Sequence, residues 1–200
     1  MHNTVVIIIA LSLSLGIYAV VAQRGANIVK LDTAAAAMSA IWGLLELGAA
    51  CLGYGIGHLI LSHEAETFRS ILKAGRLAER PAQFWIRVLA GVLLAIVGIR
   101  MLLQAFRKKS FLEHRMERVD LQTDSLLSLR ICLEALIVGI ACGLLNTELI
   151  LWLSTVFILS VFFAGIGYIG GRAYGALFTD QAVGLGGSIL CLLGMLLQLQ

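Results

Sequence analysis

Two carboxylates interrupt runs of residues that are otherwise apolar. Glu134 sits in CLEALIVG (residues 132–139), and Glu46 sits in WGLLELGAACLGYG (residues 42–55). An ionised side chain at the centre of a bilayer costs at least ~2.5 kcal/mol even on lenient insertion scales, so each acid must face a polar cavity or a partner. Two carboxylates from different helices meeting at the midplane would suit a hard divalent cation, which takes oxygen ligands including water and backbone carbonyls. They would equally suit proton exchange. Gly43 and Gly48 flank Glu46 and would let another backbone approach.

The other polar residues in apolar surroundings divide by position. Arg130 lies four residues before Glu134, on the same helical face, where it could form a purely structural pair or reach the membrane surface. Arg100, near the end of its run, could reach the surface or balance one of the glutamates. Ser12 and Ser14 could supply hydroxyl oxygens, although serines in membrane helices commonly bond to their own helix. Asn146 and Glu148 mark a tight turn near a surface, with Thr147 as a candidate N-cap for the following helix. His58, near the end of its span, reads as structural. Cys51, Cys132, Cys142 and Cys191 all lie in apolar runs without CxxC spacing and read as small packing residues. No nucleophilic triad, nucleotide-binding loop or haem motif is present, which argues against an enzyme.

The elements that must position these residues follow from composition. The chain has 200 residues, is 60% hydrophobic, and contains one proline; its mean hydropathy is +0.94. A hydrocarbon core ~30 Å thick is crossed by roughly 20 helical residues. The pattern predicts an all-α integral membrane protein, one domain over residues 1–200, with six spans near 4–22, 34–62, 84–105, 126–146, 148–171 and 182–199. The first run lacks a basic n-region and an A-x-A cleavage site, so it is read as a span and not a signal peptide. The second is too long for a straight crossing. After it, FRSILKAGRLAER (residues 68–80) alternates apolar and basic residues as an interfacial helix would, ending before Pro81. Residues 106–125 read as a solvated helical linker. The net charge of +3 comes with no basic patch interleaved with aromatics, so nucleic acid is not an expected partner.

The spans pair in order. LAGVLLAIVGIRMLL (residues 89–103) aligns with LGGSILCLLGMLLQL (residues 185–199), placing Gly91 on Gly187 and Gly98 on Gly194. LGYGIG aligns with IGYIGG, placing Tyr54 on Tyr168 and Gly57 on Gly171. SLGIYAVV aligns with CLEALIVG, placing Gly16 on Glu134. Three spans per half is an odd number, so the two halves, about 1–105 and 126–200, would be inverted repeats, an architecture of transporters with a midplane site. Lys and Arg number eight in loops one, three and five and four in loops two and four. The positive-inside rule then places the first set in the cytoplasm and both termini outside.

ALSLSLGIYAVVAQRG (residues 10–25) resembles the first span of the manganese efflux pumps of the MntP type, within the LysE exporter superfamily. That span reads roughly A-L-S-M-D-A-F-A-V and ends in a basic residue and glycine. Ala19, Val20, Arg24 and Gly25 match, and the family's Asp position is occupied by Gly16. The second-half element S-I-D-A-x-A-V-G is matched by residues 132–139, with Glu134 at its Asp position. The span-two polar residue, usually Gln, appears as Glu46 after Trp42-Gly43. Gly98-Ile99-Arg100-Met101 matches the end of span three, and Leu185-Gly186-Gly187 the start of span six.

The resemblance implies export of Mn²⁺ or a similar divalent cation across a bacterial cytoplasmic membrane, by proton-coupled alternating access. No permanently bound cofactor is expected. Glu134 and Glu46 become the metal ligands, with Gly16, Ser12, Ser14, Arg130, Arg100, Asn146 and Glu148 as secondary residues of the pathway. The expected partners are the lipid bilayer and the cation, with a homodimer or a related membrane subunit left open. Gly16 departs from the family's pattern and motivates an alternative: a transport-inactive relative acting as a membrane scaffold or accessory subunit, for example in sporulation or envelope remodelling. Export of an amino acid or another small solute is allowed by the superfamily.

Overall fold

With no water in the hydrocarbon region, backbone polar groups must bond within their own segment, and a long apolar run does so as a helix. In the computed structural model, residues 3–27, 33–74, 82–106, 121–174 and 178–199 are described, with side chains described at 3–23, 25–26, 41–62, 84–106, 131–174 and 178–198. They form six helices: α1 (Asn3–Asn27), α2 (Thr33–Ala74), α3 (Ala82–Phe106), α4 (Leu121–Leu144), α5 (Leu149–Tyr174) and α6 (Thr179–Leu199). No strand occurs among the described residues. Five of the helices are long and apolar enough to cross a membrane. In α4 the apolar portion is Ile131–Leu144, but the helix as a whole has 24 residues and spans about 36 Å at 1.5 Å per residue. The chain is an all-α membrane protein.

Several boundaries differ from the expected ones. α4 begins at Leu121, inside the stretch read as a linker, and ends at Leu144. α2 does not stop at residue 62: it continues to Ala74 as one helix of 42 residues, about 63 Å long. The start of the stretch read as a separate interfacial helix is thus a continuation of α2. Its remainder, and most of the expected linker at 106–125, lie outside the described residues. The N-terminal run is a core element: 61% of α1's apolar window is buried, against 22% for α5.

The turn between α4 and α5 has a defined geometry. Asn146 adopts φ 49°, the left-handed conformation. Its N–H donates to Gly143 O at 3.1 Å, and the Thr147 N–H donates to Cys142 O at 3.3 Å. This is a Schellman C-cap, with asparagine where glycine is usual. Thr147 is not the N-cap of α5: its hydroxyl turns back to donate to Cys142 O at 3.2 Å. The carbonyl of Glu148 instead accepts the first bond of α5, from Trp152 N at 2.9 Å. The Tyr54 hydroxyl donates to Thr147 O at 2.5 Å and ties α2 to this turn.

The helices pack most extensively as α1 on α5, α2 on α4 and α3 on α6. Small residues make these approaches close. A Cβ at Gly98 would lie 2.7 Å from Gly187 O, and one at Gly91 2.6 Å from Gly194 O, so α3 and α6 run antiparallel. In the α2–α4 seam Gly139 meets Ala50 and Gly143 meets Tyr54. In the α1–α5 seam Gly167 meets Tyr18 and Gly171 meets Ala22. The numbers rise together in both, so these pairs run parallel. All three relations are those of six helices crossing in alternate directions. Outward faces of α2 (Ile41, Leu44, Leu52, Leu59) and α5 (Ile158, Phe162, Ile169) stay exposed and apolar, as lipid-facing surfaces are.

Candidate functional site

The acid of α4 is faced by α3 and α1. Glu134 is 5% exposed. From α3, Arg100 Nε lies 3.8 Å from Glu134 Oε1. That distance marks an ion pair without tight hydrogen bonding. Arg100 keeps 41% of its side chain exposed, so the pair bridges the enclosed site and its surroundings. From α1, the bare face of Gly16 looks directly at the carboxylate: a Cβ there would lie 3.9 Å from Glu134 Oε2 and 3.2 Å from the Met101 methyl. The fully buried Met101 fills the room that a side chain at position 16 would take. Gly16 and Glu134, aligned in sequence, therefore meet in space.

The acid of α2 has a different setting. Glu46 is 0% exposed, and neither of its oxygens has a hydrogen-bond donor among the described residues. A carboxylate without donors in such a place costs several kcal/mol. Opposite it, α5 brings in Ser160, also fully buried. Its proton is donated within its own helix, to Val156 O at 2.5 Å. The approach of α2 to α5 is close here, since a Cβ at Gly43 would lie 2.8 Å from Val161 Cγ2. On the α4 side, Cys132 Sγ contacts Leu45 O at 3.8 Å.

The two acids share one neighbourhood. Cys132, two residues before Glu134, contacts the carbonyl of Leu45, the neighbour of Glu46, at 3.8 Å, so the α2–α4 seam brings the two acids into the same region. No three His, Cys, Asp or Glu groups among the described residues converge with metal-holding geometry. A cation here would rest on carboxylate oxygen, completed by carbonyls, hydroxyls or water, a donor set suited to a hard ion.

The secondary residues separate. Arg100 joins the site. The Arg130 side chain lies outside the described residues. Ser12 and Ser14 donate to Ile8 O and Ala10 O of their own helix, each at 2.8 Å, the usual fate of a serine in a membrane helix. Asn146 and Glu148 are exposed at the α4–α5 turn. Asn146 is twelve residues beyond Glu134, about 18 Å along a helix, so the turn lies away from the acids. Ser160 is the residue the sequence reading missed. The signal was present: the offset that pairs Tyr54 with Tyr168 and Gly57 with Gly171 also pairs Glu46 with Ser160.

A family model described as "Putative manganese efflux pump" matches residues 29–197. The protein "Putative manganese efflux pump MntP" of Desulfitobacterium hafniense (strain Y51) is 26% identical over 200 residues, covering 100% of this chain and 96% of that one. No solved structure matches the chain.

Proposed function

The chain belongs to the MntP family of manganese efflux pumps, and from that premise we propose that it exports a divalent cation, Mn²⁺ first, across a bacterial cytoplasmic membrane. The observation that carries this reading is a buried acid on each of two adjoining helices: Glu134 of α4 and Glu46 of α2 are both enclosed, and Cys132, two residues before the first, reaches the carbonyl of Leu45, the neighbour of the second, at 3.8 Å. Glu134 is the cation's principal ligand. It is bordered by α1 and α3, and Arg100 neutralises it in the cation's absence. Carbonyls near Gly16 and water complete the shell of a hard ion.

The halves act as inverted repeats that rock against each other and expose the acids to either side in turn. The exchange of the Gly91–Gly194 and Gly98–Gly187 contacts under the pairing of halves supports this. A proton gradient supplies the energy. The loop charges favour cytoplasmic loops one, three and five, and external termini.

Proteoliposomes carrying the full chain test the reading. Mn²⁺ uptake should saturate and respond to a pH gradient, and Glu134→Gln should abolish it. Wild-type uptake in that variant would remove Glu134 from the pathway. One observation favours a second reading, a transport-inactive relative serving as scaffold or accessory subunit: the Met101 methyl and the Arg100 guanidinium border Glu134 where the family pattern calls for a second acid. Absence of metal flux in a folded wild-type protein would select it.

A further inference from the structure

The α4–α5 turn borders a cavity well away from the acids. Its volume is about 260 Å³, and it is lined by Leu61 of α2, Ile86 and Arg87 of α3, and Leu144, Leu145 and Asn146 at the end of α4. A water takes about 30 Å³ of liquid, so the space admits a larger group. α2 and α3 touch only slightly, and the cavity lies between them. Leu144 is ten residues beyond Glu134, about 15 Å along α4.

The helices that form the cavity reach the membrane boundary here. The apolar stretch of α2 ends at Ser62, that of α3 starts at Phe84, and that of α4 ends at Leu144. Leu61 is one residue inside its boundary, and Arg87 is three residues inside, about 5 Å. This is the depth at which headgroups give way to acyl chains.

The lining is divided in the same way. Leu61, Ile86, Leu144 and Leu145 form apolar walls, and Arg87 and Asn146 bring hydrogen-bond donors. Arg87 is exposed, and no carboxylate among the described residues pairs with it. Asn146 spends its backbone N–H on Gly143 O, and its exposed side-chain amide has no partner among the described residues. No lining residue is acidic. The carbonyls that end α4 would repel an anion if bare, but Ala141 O, Cys142 O and Gly143 O each accept a backbone N–H. Trp85 does not line the cavity but marks the same level, as tryptophans at a membrane–water boundary do.

We propose that this cavity holds the headgroup of an acidic phospholipid, whose phosphate oxygens accept from the Arg87 guanidinium and the Asn146 amide while an acyl chain starts along Leu61 and Ile86. The guanidinium fork matches two phosphate oxygens at once, and basic pockets between membrane helices take such headgroups. A free phosphate would use the donors and leave the apolar walls unmatched. A zwitterionic lipid would bring an ammonium group, for which the cavity has no acid. The lipid fills the gap between α2 and α3 and supports the turn that Tyr54 already ties to α2.

The site does not depend on the export reading. Its test is native mass spectrometry of the purified full chain in detergent, titrated with phosphatidylglycerol and separately with phosphatidylcholine. The wild type should hold phosphatidylglycerol about tenfold more tightly than Arg87→Gln, which loses a charge-assisted hydrogen bond. Leu61→Trp, which narrows the apolar side and leaves Arg87 in place, should lose the lipid as well. Asn146→Gly keeps the left-handed turn and should weaken binding about threefold, the share of one neutral hydrogen bond. Phosphatidylcholine should bind the wild type more weakly than phosphatidylglycerol. Equal retention of phosphatidylglycerol by the wild type and Arg87→Gln overturns the site, as does phosphatidylcholine held as tightly as phosphatidylglycerol. Inorganic phosphate that raises the melting temperature as much as phosphatidylglycerol, and only with Arg87 present, overturns the lipid in favour of a free anion. Should Arg87→Gln not fold, unchanged retention in both Leu61→Trp and Asn146→Gly overturns the site.

Discussion

The surroundings of Glu134 and of Glu46 solve one problem in two ways. Each acid is buried, and each is approached by an uncharged residue of another helix, Gly16 in one case and Ser160 in the other. At Glu134 the answer is an ion pair with a half-exposed arginine. At Glu46 none of the described residues supplies a cation, and the Ser160 hydroxyl of α5 donates within its own helix. A carboxylate balanced by a half-exposed arginine suits a site that admits a cation in its place. An acid as enclosed as Glu46, with no hydrogen-bond donor among the described residues, is set apart from that exchange with the surroundings. Two carboxylates in one membrane protein need not be two halves of one metal site.

The largest test of this contrast is Glu134→Gln, expected to abolish Mn²⁺ flux in vesicles. Next is Ser160→Asp, which sets a second acid against Glu46 with no counter-ion; a loss of about 3 kcal/mol follows from an uncompensated buried charge, measured as lowered thermal stability in detergent. The same kind of addition at Gly16 should behave differently, because a second acid beside Glu134 would complete a pair for a divalent ion: Gly16→Asp should be destabilised without divalent ions and recovered by added Mn²⁺ in a melting assay. Equal, metal-independent losses at both positions would erase the distinction. Arg100→Gln should cost about 1–2 kcal/mol, less than breaking a fully buried pair because the arginine is part-exposed. The Arg100→Gln/Glu134→Gln double variant should recover most of that in a mutant cycle. The smallest effect is expected from Gly16→Ala, about 1 kcal/mol or less, since the Met101 methyl at 3.2 Å can shift.

Part of this was legible beforehand. The acids announced themselves because charge in an apolar run has few bland explanations. The ordered glycines were visible too, and several of them form the close helix contacts, because such contact tolerates little else. The turn at Asn146 was visible, but the role of Thr147 was not, since one hydroxyl can cap either neighbouring helix and only local geometry chooses. The length of α2 was misjudged because a basic amphipathic stretch reads the same whether it continues a helix or starts another.

By itself the sequence determined that the chain forms membrane helices, because a lipid-embedded backbone has only its own segment to bond to, and that two acids stand among them. Tertiary structure alone decided that Glu134 meets Gly16 and Arg100 while Glu46 meets Ser160. Those meetings depend on which helices adjoin and in what register. The register is set by glycine contacts such as Gly98 on Gly187 and Gly139 on Ala50, between residues far apart in the chain. Periodicity within one helix names the face a residue occupies but carries no information about what stands opposite.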